Sequence, residues 1–196
     1  MTPNIGHPLW SGIVDQAKAA AVVGQELGER LFSGWGVRSM ADGEGGYHPI
    51  ESHNGTVWPH DNALLAAGLR RYGYMWQASR LAHAILEAAT YFEHRLPEVF
   101  AGYPRTLTRS PVEHPAASSP QAWPTGTPLL LLRVLLALAP KDGMLGSDPL
   151  LPEGIGWLEL RRIRGRWPRP PGVVASRPAS SAVPSATSPG SRAGST

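Results

Sequence analysis

Apolar positions recur at three- and four-residue intervals in four stretches of the chain, and the pattern breaks off between them. Ile13, Ala17, Ala20, Gly24, Leu27 and Leu31 mark one face of a helix over residues 13–31, with Ser11 placed to cap it. That stripe is rich in small residues, which lets a second helix approach closely and suits a stacked helical array better than a helix lying on a sheet. Pro59 in the first turn and Asp61 near the positive end open a second helix over 60–72, which Gly73 closes. Ala78, Leu81, Ala82, Ile85, Ala88, Ala89 and Phe92 give a third over 75–95, and the short joint makes it the antiparallel neighbour of the second. A fourth, over 121–139, is apolar around most of its circumference and so is expected to be buried on most sides. Pro124 and Pro128 are tolerable only near its start and argue for a later beginning. Residues 150–166, with the alternation Trp157-Leu158-Glu159-Leu160, read as short strand-like pieces.

Two long irregular segments interrupt this pattern. Residues 33–58 are glycine-rich and carry Trp35, Tyr47, His48, His53 and Trp58, side chains that favour packing or ligand contact over disorder. Residues 97–120 contain Pro97, Pro104, Pro111, Pro115 and Pro120, and no regular element fits there. Helical hairpins joined alternately by short and long loops suit an all-α bundle or a portion of a larger helical toroid, with the long loops forming a site.

Composition changes this picture mainly at the C-terminus. Hydrophobic residues make up 42% of the 196, enough to bury a core. Beyond Pro168 only Pro, Ser, Ala, Gly, Thr, Val and three arginines remain, which predicts a folded body over 1–167 and a disordered tail over 168–196. Arg169, Arg177 and Arg192 account for the whole formal charge of +3, so the body is neutral and lacks the basic face that nucleic acid requires. The cluster Arg161, Arg162, Arg164 and Arg166 reads as a solvated strand face. The chain has no cysteine, and the N-terminus, with Asn4, His7 and Pro8, does not resemble a signal peptide. The longest apolar run, 128–139, is broken by Arg133 and falls below the roughly 18 residues of a membrane span. A cytoplasmic protein without a membrane partner is the default expectation.

The densest chemistry lies in His53-Asn54-Gly55-Thr56-Val57-Trp58-Pro59-His60-Asp61-Asn62, polar and aromatic groups gathered at a helix N-terminus. Sugars need flat apolar faces to stack on and a ring of hydrogen-bond partners for hydroxyls, which Trp58 with Asn54, His60, Asp61 and Asn62 could supply. The same residues equally suit a structural role, with Asp61 and Asn62 satisfying free N–H groups in the first turn and Trp58 filling core. Glu98, in Leu96-Pro97-Glu98-Val99-Phe100, is a lone carboxylate among apolar residues. Glycoside hydrolysis uses two carboxyl groups across the scissile bond, and Glu98 could be either, or a surface residue at a turn. The histidine spacing matches no metal signature, and no glycine-rich phosphate cradle or Gly-x-Ser-x-Gly elbow occurs, so no cofactor is implied.

Several blocks together resemble the C-terminal catalytic region of bacterial amylo-α-1,6-glucosidases, the glycogen-debranching family. Asn4, Gly6, His7, Leu9, Trp10 and Gly12 are similar to its Ser-Asn-Pro-Gly-His-x-Leu-Trp-x-Gly block, with Ile5 in place of a proline. The stretch Leu31-Phe32-Ser33-Gly34-Trp35-Gly36-Val37-Arg38, the run from His53 to Gly73, Arg95-Leu96-Pro97-Glu98-Val99-Phe100, and Ser119-Pro120-Gln121-Ala122-Trp123 resemble further family blocks in the family's order. His114-Pro115-Ala116-Ala117-Ser118 departs from a Tyr-Pro-x-Ala-Cys block.

The resemblance implies an (α/α)6 toroid of which this chain holds a partial set of hairpins, and an inverting hydrolase of α-glucan or a related oligosaccharide. Glu98 takes the place of the general base, while Trp35, Arg38, His53, Asn54, Trp58, His60, Asp61, Gln121 and Trp123 take the place of substrate-binding residues. The family's general acid lies on an earlier hairpin with no counterpart here. The alternative is a non-catalytic carbohydrate-binding or remnant chain, since four helices do not close a toroid.

Overall fold

The computed structural model describes residues 6–165 and 173–176. The helices are α1 (Gly6–Ser11), α2 (Gln16–Glu26), α3 (Pro59–Arg71), α4 (Met75–Thr90) and α5 (Ala122–Leu136). Four short strands follow, β1 (Ala139–Lys141), β2 (Met144–Gly146), β3 (Trp157–Leu160) and β4 (Val173–Ser176). The described part is therefore mostly helical, with strand pieces confined to its end. Among the described residues no helix is long and apolar enough to cross a membrane.

α3 and α4 form the antiparallel hairpin that the periodicity predicts. Asp61 lies in the first turn of α3 and Arg70 and Arg71 in its last, complementing the helix dipole at both ends. Leu65, Ala66 and Leu69 of α3 meet Leu81, Ile85 and Ala88 of α4 in one buried core. α4 stops at Thr90 rather than 95 because Glu93 and His94 both take left-handed backbone angles, φ 53° and 61°.

Of the helix expected over 13–31 only α2, Gln16–Glu26, forms, and a separate short helix, α1, precedes it. Gly12, at φ +79°, turns the chain after α1, and the Gly12 and Ile13 N–H groups both donate to the Pro8 carbonyl. Ser11 donates its hydroxyl to the same carbonyl and caps nothing downstream. The buried face of α2 is Ala19, Val23 and Glu26, whereas Ala17, Ala20 and Gly24 face solvent. The small-residue approach foreseen for this region occurs between α1 and α3: a Cβ on Gly68 would stand 2.6 Å from the Trp10 nitrogen.

α5 begins at Ala122, not later, and keeps both prolines. Pro124 falls in the first turn, where an N–H has no helical partner, and is buried; Pro128 lies inside the helix. The helix is less enclosed than its composition suggests, since Leu129 is 71% exposed. α5 and α3 run parallel: His60 and Trp123, in their first turns, meet ring to ring, while Arg70, Arg71 and Arg133, near their ends, line one cleft. α4 runs opposite to both.

β1 and β2 pair across the two-residue turn Asp142-Gly143, both at positive φ as such a hairpin requires. β3 pairs antiparallel with β4, Trp157 opposite Ser176 and Leu160 opposite Val173. A short piece of the stretch expected to be disordered, 173–176, is therefore a strand. Ala175 is buried in a small cluster with Leu136 and Leu151, enough to hold a strand in an otherwise polar stretch. The remainder of 168–196, and Asn4, lie outside the described residues.

The irregular segments are joined by isolated bridges, Arg38 to Val57, Val57 to Phe100 and Phe100 to Glu113. Val57 and Phe100 exchange both N–H···O bonds, at 2.8 and 3.0 Å. The two irregular segments, distant in sequence, are thus one layer leading into the N-terminal ends of α3 and α5.

Glu26 is a cost inside this fold. It is fully enclosed, and neither carboxyl oxygen makes a well-formed hydrogen bond among the described residues. Burial pushes its pKa up to about 8, against a smaller pull from the Gly6 backbone. Between the ordinary value of 4.5 and about 8, the folded chain holds a proton that the unfolded chain has released, so stability falls as pH rises through that window. Glu26→Gln is expected to be more stable than the parent at neutral pH, with a gap widening by up to roughly 1.4 kcal/mol per pH unit. Urea unfolding at pH 5 and pH 8 measures this; an equal gap at both would mean that Glu26 is already ionised in the folded chain.

Candidate functional site

Ser33 organises the tight turn that opens the first loop: its hydroxyl donates to the Gly36 carbonyl at 2.8 Å and accepts from the Trp35 and Gly36 N–H groups. The turn is fastened to α3 by Asn62, whose side-chain oxygen accepts from the Val37 N–H at 2.7 Å. Its amide donates to the Val37 and Trp58 carbonyls. Asn62 is buried and makes three bonds, so its role is to brace the loop against the helix.

Trp35 and Arg38 are each only 1% exposed. Trp35 lies between the Arg105 guanidinium, 4.2 Å from its ring centre, and the edge of Tyr91. Arg38 donates to the carbonyls of Gly102, Glu29 and Arg30. Both side chains are enclosed within the layer and present no face to a ligand. The loops also meet backbone to backbone, since a Cβ on Gly102 would overlap the Gly55 carbonyl oxygen.

The remaining candidates gather where α3 and α5 begin. Trp58, the residue preceding α3, stacks on His53 with ring centres 5.6 Å apart and planes 9° from parallel. Its indole N–H donates to the Ser52 carbonyl at 2.8 Å. Asn54 closes a turn through its backbone, accepting from His48 and donating to Glu51. His60 tilts against Trp123, 5.0 Å between ring centres, and Trp123 is 58% exposed. Asp61 faces His7, 3.4 Å from its Nε2.

Glu98 is held from both sides. Gln121, the N-cap residue of α5, donates its amide to one carboxyl oxygen at 2.6 Å, and the Ser118 N–H donates to the other at 3.2 Å. The Glu98 N–H returns a bond to the Ser118 carbonyl. Both carboxyl oxygens accept, the arrangement that suits a carboxylate. The Val57–Phe100 pair places Trp58 one residue and Glu98 two residues along the chain from the same bridge.

Two clefts flank this cluster. One of about 310 Å³ runs between the first turns of α3 and α5, lined by His60, Trp123, Gly126, Thr127 and Leu130. The other, about 370 Å³, is lined by Tyr91, Pro97, His114, Ser119 and Pro120 among others. Gln121 lies between Pro120 of one lining and Ala122 of the other along the chain, with its own Oε1 buried and unpartnered among the described residues. Sequence reasoning missed Ser118 and His114 as organising residues, and placed the structural role of Asn62 in the helix turn rather than against the loop. His114 reaches Ser52 at 3.4 Å and ties the loop carrying Trp58 to the segment carrying Ser118. No local pattern marks such a contact, since its partners lie far apart in the chain. Among the described residues no group of three or more His, Asp or Glu is placed to hold a metal ion.

The model of the mannosylglycerate hydrolase MGH1-like glycoside hydrolase domain matches residues 6–106, which include α1 to α4, the first loop and Glu98. Gln121, Trp123 and α5 lie beyond the matched range. No curated protein sequence is similar enough to this chain to count as a match. Among solved structures, an uncharacterized conserved protein from Thermus thermophilus is similar, with 23% identity and a TM-score of 0.46. The similarity covers 63% of this chain and 28% of that one, so the chain spans less than a third of that protein's length.

Asn62→Ala would leave the buried Val37 N–H and C=O without their side-chain partner. The expected loss of stability is roughly 2–4 kcal/mol, read as a lower urea midpoint. A loss within error would show that the Ser33 turn stands without its brace.

Proposed function

The chain belongs to the mannosylglycerate hydrolase MGH1-like glycoside hydrolase family, and on that premise we propose that it forms part of an enzyme hydrolysing an α-glucosidic bond by inversion, with Glu98 as general base. The observation that carries the reading is the carboxylate of Glu98, aimed by Ser118 and by Gln121, two residues before the exposed ring of Trp123. An inverting reaction needs one carboxylate to take a proton from water while a second carboxyl group protonates the leaving oxygen. Glu98 fills the first role. Water attacks the anomeric carbon as Glu98 accepts its proton, and the acid resides in a part of the catalytic domain other than these hairpins.

Trp123 and Trp58 offer ring faces to the sugar, with His53 stacked on Trp58, His60 tilted against Trp123, and imidazole nitrogens to meet hydroxyls. Trp35 and Arg38 contribute by shaping the layer on which these groups sit. The parallel α3 and α5 with the returning α4 suit inner and outer helices of an (α/α)6 toroid, which would set both loops at one end. The substrate class is an α-glucan or related oligosaccharide, α-1,6-linked in the first instance. The family's name points to a sugar joined to glycerate as the competing substrate.

A second reading, carbohydrate binding without turnover, draws on Asp61. Its carboxylate stands in the first turn of α3 and faces His7.

In the protein with its natural flanking sequence, Glu98→Gln is expected to lower kcat by about 10²- to 10⁴-fold with little change in KM. Trp123→Ala should instead raise KM. Hydrolysis of α-1,6-glucosides and of glycosylglycerates, measured side by side, separates the substrates. Full activity of Glu98→Gln would end the assignment of the base, and oligosaccharide binding with no hydrolysis of any substrate would favour the second reading.

A further inference from the structure

The strongest group of side chains outside the sugar site lies at the opposite end of the α3–α5 groove. A cleft of about 480 Å³ opens there, lined by Trp10, Arg70, Arg71, Arg133, Val134 and Leu138, among others. That volume lies within the range of small-molecule sites. Three arginines and no carboxylate are among its lining residues.

The simplest account of these arginines is that they neutralise the C-terminal ends of two helices and cap their carbonyls. It explains part of what is seen. Arg71 donates to the Trp10 carbonyl at 3.2 Å, and Arg133 donates through Nε to the Leu138 carbonyl at 3.0 Å. Each of these bonds uses one of five N–H donors on a planar fork. Arg70 is more enclosed, its side chain 14% exposed, and its partner is Asp148, itself 80% exposed. Capping two helix ends does not require three cations on one cleft, nor a half-exposed indole beside them.

The geometry points to a binding site in this cleft for a small organic anion, a carboxylate or phosphate ester carrying a flat or apolar portion. The charged group would accept from Arg71 and Arg133, fork to oxygen, as guanidinium pairs favour. The apolar portion would lie against Trp10 and Leu138. Leu130 lines both clefts, but the arginines lie away from the sugar site: His60 and Arg71 are eleven residues apart on α3, about 16 Å along its axis. It does not depend on Glu98 being a catalytic base.

Calorimetric titration of the full chain at low salt tests this with three probes: benzoate, inorganic phosphate and benzyl alcohol as the neutral control. The expected result is saturable binding of at least one anion, weakened by added salt, with benzyl alcohol at least tenfold weaker. Benzoate alone binding would assign a carboxylate with a flat face, and phosphate alone a phosphate group. Arg71→Gln and Arg133→Gln, both at exposed side chains, should each weaken anion binding at least tenfold, whereas Glu98→Gln should leave it unchanged. Absence of binding by both anions, equal affinity for benzyl alcohol, or anion binding unaltered in both arginine variants would overturn the proposal. If either variant fails to fold, the comparison of charged and neutral probes on the parent chain decides alone.

Discussion

The paired backbone of Val57 and Phe100 is the contact on which the candidate site depends. It joins two segments that carry no regular secondary structure, one leading into α3 and the other following α4. A single exchanged pair of N–H···O bonds is modest in net energy, about 0.5–1.5 kcal/mol per bond. Its importance is positional. Phe100 and Val57 are both buried, so the pair is shielded from competing water and cannot easily be remade in another register. Everything the site needs from the two loops then follows by one or two residues of chain.

The layer around that pair is built from polar side chains turned inward. Asn62, Ser33 and Arg38 satisfy backbone groups that two long loops would otherwise bury unpaired. Among the described residues no carboxylate bonds to Arg38, and burial lowers its pKa from the ordinary arginine range against a smaller pull from Tyr47 and Asp42. The carbonyl dipoles of Gly102, Glu29 and Arg30 take the place of a counter-ion. This is how a glycine- and proline-rich stretch attains the rigidity usually supplied by a sheet.

What could be read from the residues follows the strength of their local signals. α3 and α4 begin within a residue of expectation because apolar period, Pro59 and Gly73 agree. α2 was harder: in a run of Ala and Val, the stripes through Ala17 and through Ala19 have the same spacing, and only tertiary contact with the core chooses the second. The left-handed turn at Glu93 and His94 carries no glycine to announce it. In the site, an aromatic or arginine in a glycine-rich loop looks alike whether it faces a ligand or the core, which is why Trp35 and Arg38 could not be sorted from Trp58 and Trp123. Gln121 could be placed near Glu98 only through family resemblance, and the bond between them crosses 23 residues.

The carboxylate's grip comes from residues 118–121, which run without interruption into α5. The direction in which Glu98 points is therefore governed by the tilt of a fifteen-residue rod as well as by its own loop. Pro128 stands mid-rod, and its missing N–H leaves the Pro124 carbonyl without a helical donor. A bend at that turn would swing Trp123 and the Gln121 amide together, so stacking surface and carboxylate would move in concert.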